Sequence, residues 1–105
     1  MRTTIYIETP YWRELIIKWA LRAKTKSQVE KVVLVALANN CFQDGNISFV
    51  SEDIYKQTGL TEWAFFKVIT LLIVDGHIKA HPQYPSKELF FLNLPEQVKR
   101  FAKSG

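Results

Sequence analysis

Tyr11, Trp12, Leu15, Ile16, Trp19 and Ala20 recur at the three-to-four-residue spacing of a single helix stripe, with Arg13, Lys18 and Arg22 largely off it. Thr9 and Pro10 just ahead supply a capping side chain and a first-turn proline, so the pattern predicts a helix over 10–23. Residues 3–7, Thr-Thr-Ile-Tyr-Ile, are β-branched and aromatic and read as a short strand before it. Lys24-Thr25-Lys26 is a connector. Ser27 and Glu30 then form a capping-box pattern opening a second helix to about Asn39. Its stretch from Val32 to Ala38 is apolar nearly all round, which places it at the centre of the core.

Downstream the elements shorten. Gln43-Asp44-Gly45-Asn46 has turn chemistry, and Ile47 to Val50 reads as a strand. Ser51 is placed to cap a brief helix over 52–58, with Glu52 and Asp53 opposing the dipole in its first turn and Gly59 ending it. Thr61 caps the next helix, which runs to about Val74 and stops at Asp75-Gly76. His77 to His81 alternates as a half-buried strand does, 82–87 is a turn with Pro82 and Pro85, and Glu88 to Leu94 is a second strand. Pro95 opens a short basic helix, where Val98 and Phe101 offer a small apolar contact for dimerisation.

Helix, short strand, short helix, glycine turn, helix, strand, turn, strand is the layout of a winged helix-turn-helix, so the fold class expected is α+β, mainly helical. A single domain is expected over 1–105. Its core spans 27–94, preceded by an extension of strand and helix at 1–26 and followed by a C-terminal helix and tail at 95–105. Residues 31–40, Asp44-Gly45, Ser51-Glu52-Asp53-Ile54, Thr58-Gly59-Leu60-Thr61 and Asp75-Gly76-His77-Ile78 together resemble the helix-turn-helix modules of phage and plasmid replication and regulatory proteins. The similarity covers about residues 27–80. It implies double-stranded DNA as ligand, the helix from Thr61 as counterpart of the recognition helix, residues 81–88 as the wing, and a role in transcription regulation or replication of a mobile element.

The helix over 61–74 departs from that pattern. Ala64, Phe65, Val68, Ile69 and Leu72 make the expected core stripe, but Trp63, Phe66, Ile73 and Val74 give it a second apolar face where modules of this kind carry polar and basic groups. Only Thr61, Glu62, Lys67 and Thr70 offer hydrogen bonds to base edges. The candidate nucleic-acid-binding residues are thus Ser51, Lys56, Thr61, Glu62, Lys67, Thr70, Lys79, Tyr84 and Lys87, acting mainly on phosphates. Arg13, Lys18, Arg22, Lys24 and Lys26 form a second basic cluster. Trp63, Phe66 and Ile73 are the candidate protein-interface residues. Three arrangements accommodate the second apolar face: the N-terminal strand and helix fold over it, a second copy or partner protein docks on it, or its aromatics wedge against nucleic acid. The leading expectation is a duplex-DNA binder, and the alternative is a protein-interaction module that docks a partner or forms a homodimer.

Composition sharpens this picture only in places. At 105 residues with 48% hydrophobic and 23% charged, the chain supports one core with little room for a deep cleft. The net charge of +4 is unevenly spread, since 32–93 carries four basic against six acidic residues, and that disfavours a purely electrostatic DNA surface there. No apolar run approaches a membrane span, and the first residues lack the apolar core of a signal peptide, so a cytoplasmic location with no membrane partner is expected. Cys41 is the single cysteine and reads as a buried packing residue. His77 and His81 are too far apart for an unassisted metal pair, Glu52 and Asp53 diverge on their helix, and no glycine-rich phosphate loop occurs. No catalytic residue, metal, cofactor or small-molecule substrate is therefore expected.

Overall fold

The computed structural model describes residues 11–42, 44–47, 52–80 and 90–104, the last four by backbone only. The expected strand at 3–7, the Thr9-Pro10 helix start, residues 48–50, the Ser51 cap and the wing at 81–88 lie outside the described residues, and with them Ser51, His81, Tyr84 and Lys87. The described chain is mainly helical with a small sheet, in the order α1 (Tyr11–Arg22), α2 (Gln28–Ala38), β1 (Asn46–Ile47), α3 (Glu52–Gln57), α4 (Glu62–Val74), β2 (Ile78–Ala80), β3 (Phe90–Leu92) and α5 (Glu96–Ser104).

Local chemistry sets the helix ends. Ser27 holds an extended backbone and its hydroxyl accepts from the Glu30 amide at 3.2 Å. Glu30 does not close the capping box on Ser27 itself; its carboxylate reaches one residue further, accepting from the Lys26 amide at 3.4 Å. Thr61 repeats the device for α4, accepting from the Ala64 amide at 3.2 Å. Beyond Val74, Gly76 takes φ +85, the left-handed conformation that closes a helix C-terminus with little strain only for glycine.

The sheet is antiparallel in the order β1-β3-β2, with Ile47 opposite Phe90 and Ile78 opposite Leu92. One face of it carries Ile47, Ile78, Phe90 and Leu92 into the core. Gly45 precedes β1 at φ +84, and a side chain there would meet Leu94 Cδ1 at 3.0 Å and the Leu92 carbonyl at 3.3 Å, so the turn needs glycine for two independent reasons. Val33, Leu34 and Leu37 of α2 and Phe65, Ile69 and Leu72 of α4 complete the core with Ile16 and Ala20 of α1.

α2 packs against α1, α3 and α4, as a central helix must. It is not covered all round, however: Val29 and Val32 are 45% and 39% exposed, and Val32 with Ile17, Leu21 and Val35 lines an open apolar groove along α1 and α2. α1 rests on α2 and α5. It is fixed there by two long basic side chains. Lys31 of α2 donates to the carbonyls of Ala20 at 3.0 Å, Leu21 at 2.7 Å and Ala23, closing the last turn of α1. Arg13 of α1 stacks on Trp12 and donates to the carbonyls of Ala38 at 3.3 Å and Cys41 at 3.0 Å, doing the same for the end of α2. Each helix thus supplies the cation that satisfies the other's last carbonyls.

Candidate interaction surface on the fourth helix

Because side chains on a helix advance about 100° per residue, Trp63, Phe66, Lys67, Thr70 and Val74 fall on one side of α4, opposite the buried Phe65, Val68, Ile69 and Leu72. Glu62, Trp63, Phe66, Lys67 and Thr70 line an open depression of about 660 Å³. Trp63 is 71% exposed and Val74 74%, with Leu71 at 47% on the flank. Lys67 Nζ lies 4.6 Å from the Trp63 ring centroid, one helical turn on, which holds the ammonium over the indole face.

The polar groups of this face are mostly engaged with the helix itself. The Thr61 hydroxyl serves as the cap, and the Thr70 hydroxyl donates to the Phe66 carbonyl at 3.1 Å. That leaves Glu62 and Lys67 as the charged groups turned outward, one of each sign. Phe66 is half-buried, packing edge-on against Phe65 with centroids 5.4 Å apart, so it forms the floor of the depression and Trp63 its rim. Ile73 stands apart from the candidate interface, half-buried against the core.

The arrangement in which α1 folds over Trp63 is not the one adopted: α1 sits on α2 and α5, and the indole is open. The other basic candidates divide. Lys56 pairs with Glu52 at 2.8 Å, an exposed contact within α3, while Lys79 is exposed on β2. In the second basic cluster Arg13 is engaged in capping and Lys26 pairs with Asp75 at 3.0 Å, leaving Lys18, Arg22 and Lys24 at the surface. Val98, offered from sequence for dimerisation, packs against the core of its own chain.

A polar clasp closes the C-terminal end of α4. Asp75 is 13% exposed, and its carboxyl is held below the ordinary range first by the hydrogen bond from Lys26, against desolvation, with Glu30 and His77 beside it adding to the effect. His77 Nε2 donates to the Lys24 carbonyl at 3.0 Å, and Asn93 Nδ2 donates to the Gly76 carbonyl at 2.8 Å. These bonds tie the α1–α2 connector and the end of β3 to the α4–β2 turn. His77 is therefore a structural link. Cys41 is buried, as its apolar neighbours suggested, and burial pushes its thiol up to about 11, so it has no thiolate to act as a nucleophile at neutral pH. Among the described residues no group of three or more His, Cys, Asp or Glu is placed to hold a metal ion, and no helix is long and apolar enough to cross a membrane.

The sequence pattern brought out Trp63, Phe66 and Lys67 as neighbours. It placed Val74 on the second apolar face as well, but took Ile73 as the interface residue beside Trp63 and Phe66, whereas Ile73 packs on the core and Val74 and Leu71 are the exposed ones. No family model matches the chain, and no curated protein or solved structure matches it significantly.

Proposed function

We propose that the chain is a non-enzymatic winged helix-turn-helix module that works by docking a protein on the outward face of α4. The winged-helix reading rests on the element order from α2 to β3 and on the β1-β3-β2 sheet, in which the strand before the short helix pairs with the last strand of the hairpin. The docking reading is carried by one observation: the face a DNA reader would present to the major groove bears Trp63 at 71% exposure, with Leu71 and Val74 exposed about two and three turns further along the helix. An exposed tryptophan over a floor of half-buried aromatic is the composition of a protein-binding anchor. Base reading needs free hydrogen-bonding groups, and here the two threonine hydroxyls are engaged and Glu62 would repel phosphates.

A second reading, duplex DNA held through phosphates in a regulatory or replication role, is favoured by the fold order together with exposed Lys67 and Lys79. A titration of the full chain against a short random duplex at low and moderate salt separates the two, using a Trp63→Ala, Phe66→Ala variant and a Lys67→Ala, Lys79→Ala variant. The docking reading expects no saturable duplex binding. Salt-sensitive binding that falls in the lysine variant would overturn it.

A further inference from the structure

The outward face of α4 is self-complementary, and we infer that its partner is a second copy of this chain, packed α4 against α4 about a two-fold axis. This rests on the docking reading above and names the protein that docks. In projection on that face, the 100° advance and 1.5 Å rise per residue set four side chains at the corners of a diamond. Glu62 and Lys67 take one pair of opposite corners, on the two flanks of the helix. Trp63 and Phe66 take the other pair, between them.

A two-fold axis lying in the contact plane along the Trp63–Phe66 diagonal makes use of all four. Groups on such an axis meet their own counterparts, so Trp63 packs against Trp63 of the second copy and Phe66 comes opposite Phe66. Groups on either side of it are exchanged, so each Glu62 comes over a Lys67. Two symmetric ion pairs thus flank a central aromatic contact. Among the described residues Glu62 has no ion-pair partner within its own chain, and Lys67 is held over the Trp63 ring, at the edge of this contact.

The charges also decide how the helices cross. An axis square to α4, which would make the helices antiparallel, leaves Glu62 and Lys67 on opposite flanks. An axis along α4 leaves them five residues apart in height, about 7.5 Å. Only the diagonal axis joins them, and it crosses the two helices steeply, at roughly 70° by the same helical geometry. The ion pairs fix the orientation while the aromatics supply the contact.

Sedimentation equilibrium of the full chain tests this, with circular dichroism confirming that each variant is folded. The parent should sediment as a dimer. Glu62→Lys and Lys67→Glu each replace two attractions by two repulsions and should raise the dimer dissociation constant by roughly tenfold or more. An equimolar mixture of the two single variants should recover the dimer, because one variant then carries lysine at both positions and the other glutamate at both. A parent that stays monomeric, or a dimer indifferent to both swaps, would overturn the second-copy inference. The duplex titration keeps the two failures apart: a monomer without duplex binding removes the second copy as partner and leaves the docking reading standing, whereas lysine-dependent duplex binding removes both.

Discussion

α4 meets two contrasting surroundings. At its C-terminal end, polar side chains from distant segments converge on the turn, with Lys26 on Asp75, His77 on the Lys24 carbonyl and Asn93 on the Gly76 carbonyl. Along its outward side the arrangement is inverted, for the hydroxyls turn back to the backbone and an indole with two aliphatic side chains faces out. The first region uses its polarity to hold this fold together. The second contributes little to its own fold and leaves its apolar area exposed, which is what the docking proposal accounts for.

Neighbouring positions on the two sides of α4 give the largest test. Phe65→Ala should destabilise by roughly 3–5 kcal/mol in urea unfolding, whereas Trp63→Ala should stay within about 0.5 kcal/mol, provided the comparison is made where the chain is a monomer. Equal losses would mean that Trp63 belongs to the core. Lys31→Met removes the donor shared by three carbonyls and should cost about 1–2 kcal/mol, with the loss concentrated in amide-exchange protection at the end of α1.

Smaller effects sharpen the polar side of the contrast. The Asp75 carboxyl titrates below its ordinary value of 3.8, so the clasp is complete above that value and is lost as pH falls through the lower folded one. Asp75→Asn should therefore flatten the acid limb of the stability profile and leave neutral-pH dimer formation unchanged. Cys41 should react with a thiol reagent at pH 8 only as fast as the chain opens, and a burst of labelling in the native protein would contradict its burial.

How legible all this was in the sequence depended on distance along the chain. The ends of α2 and α4 were readable because Ser27 with Glu30, and Thr61 with Ala64, act within four residues of each other. The core stripe of α4 was readable for the same reason, since periodicity is local. The seat of α1 was not, because it is decided by Arg13 reaching Cys41 and by Lys31 reaching back to Ala20, contacts that leave no periodic trace. Arg13 and Lys26 looked like phosphate ligands for this reason: a cation that caps a remote helix or joins a clasp has the same letter as one in solvent. The open side of α2 was hidden likewise, as Val29 and Val32 differ from their buried neighbours only in what lies across from them. On the candidate site, the sequence carried the residues of the second apolar face, and the structure was needed to show that α1 leaves it open.

The exchange of caps between α1 and α2 bears on how far the chain can be shortened. A fragment beginning at Ser27 keeps every element from α2 to β3, yet it strands the Lys31 ammonium beside missing carbonyls and leaves those of Ala38 and Cys41 without Arg13. The leading helix and the rest of the molecule are thus expected to melt as one cooperative unit, with the smallest autonomous folding piece beginning upstream of Arg13.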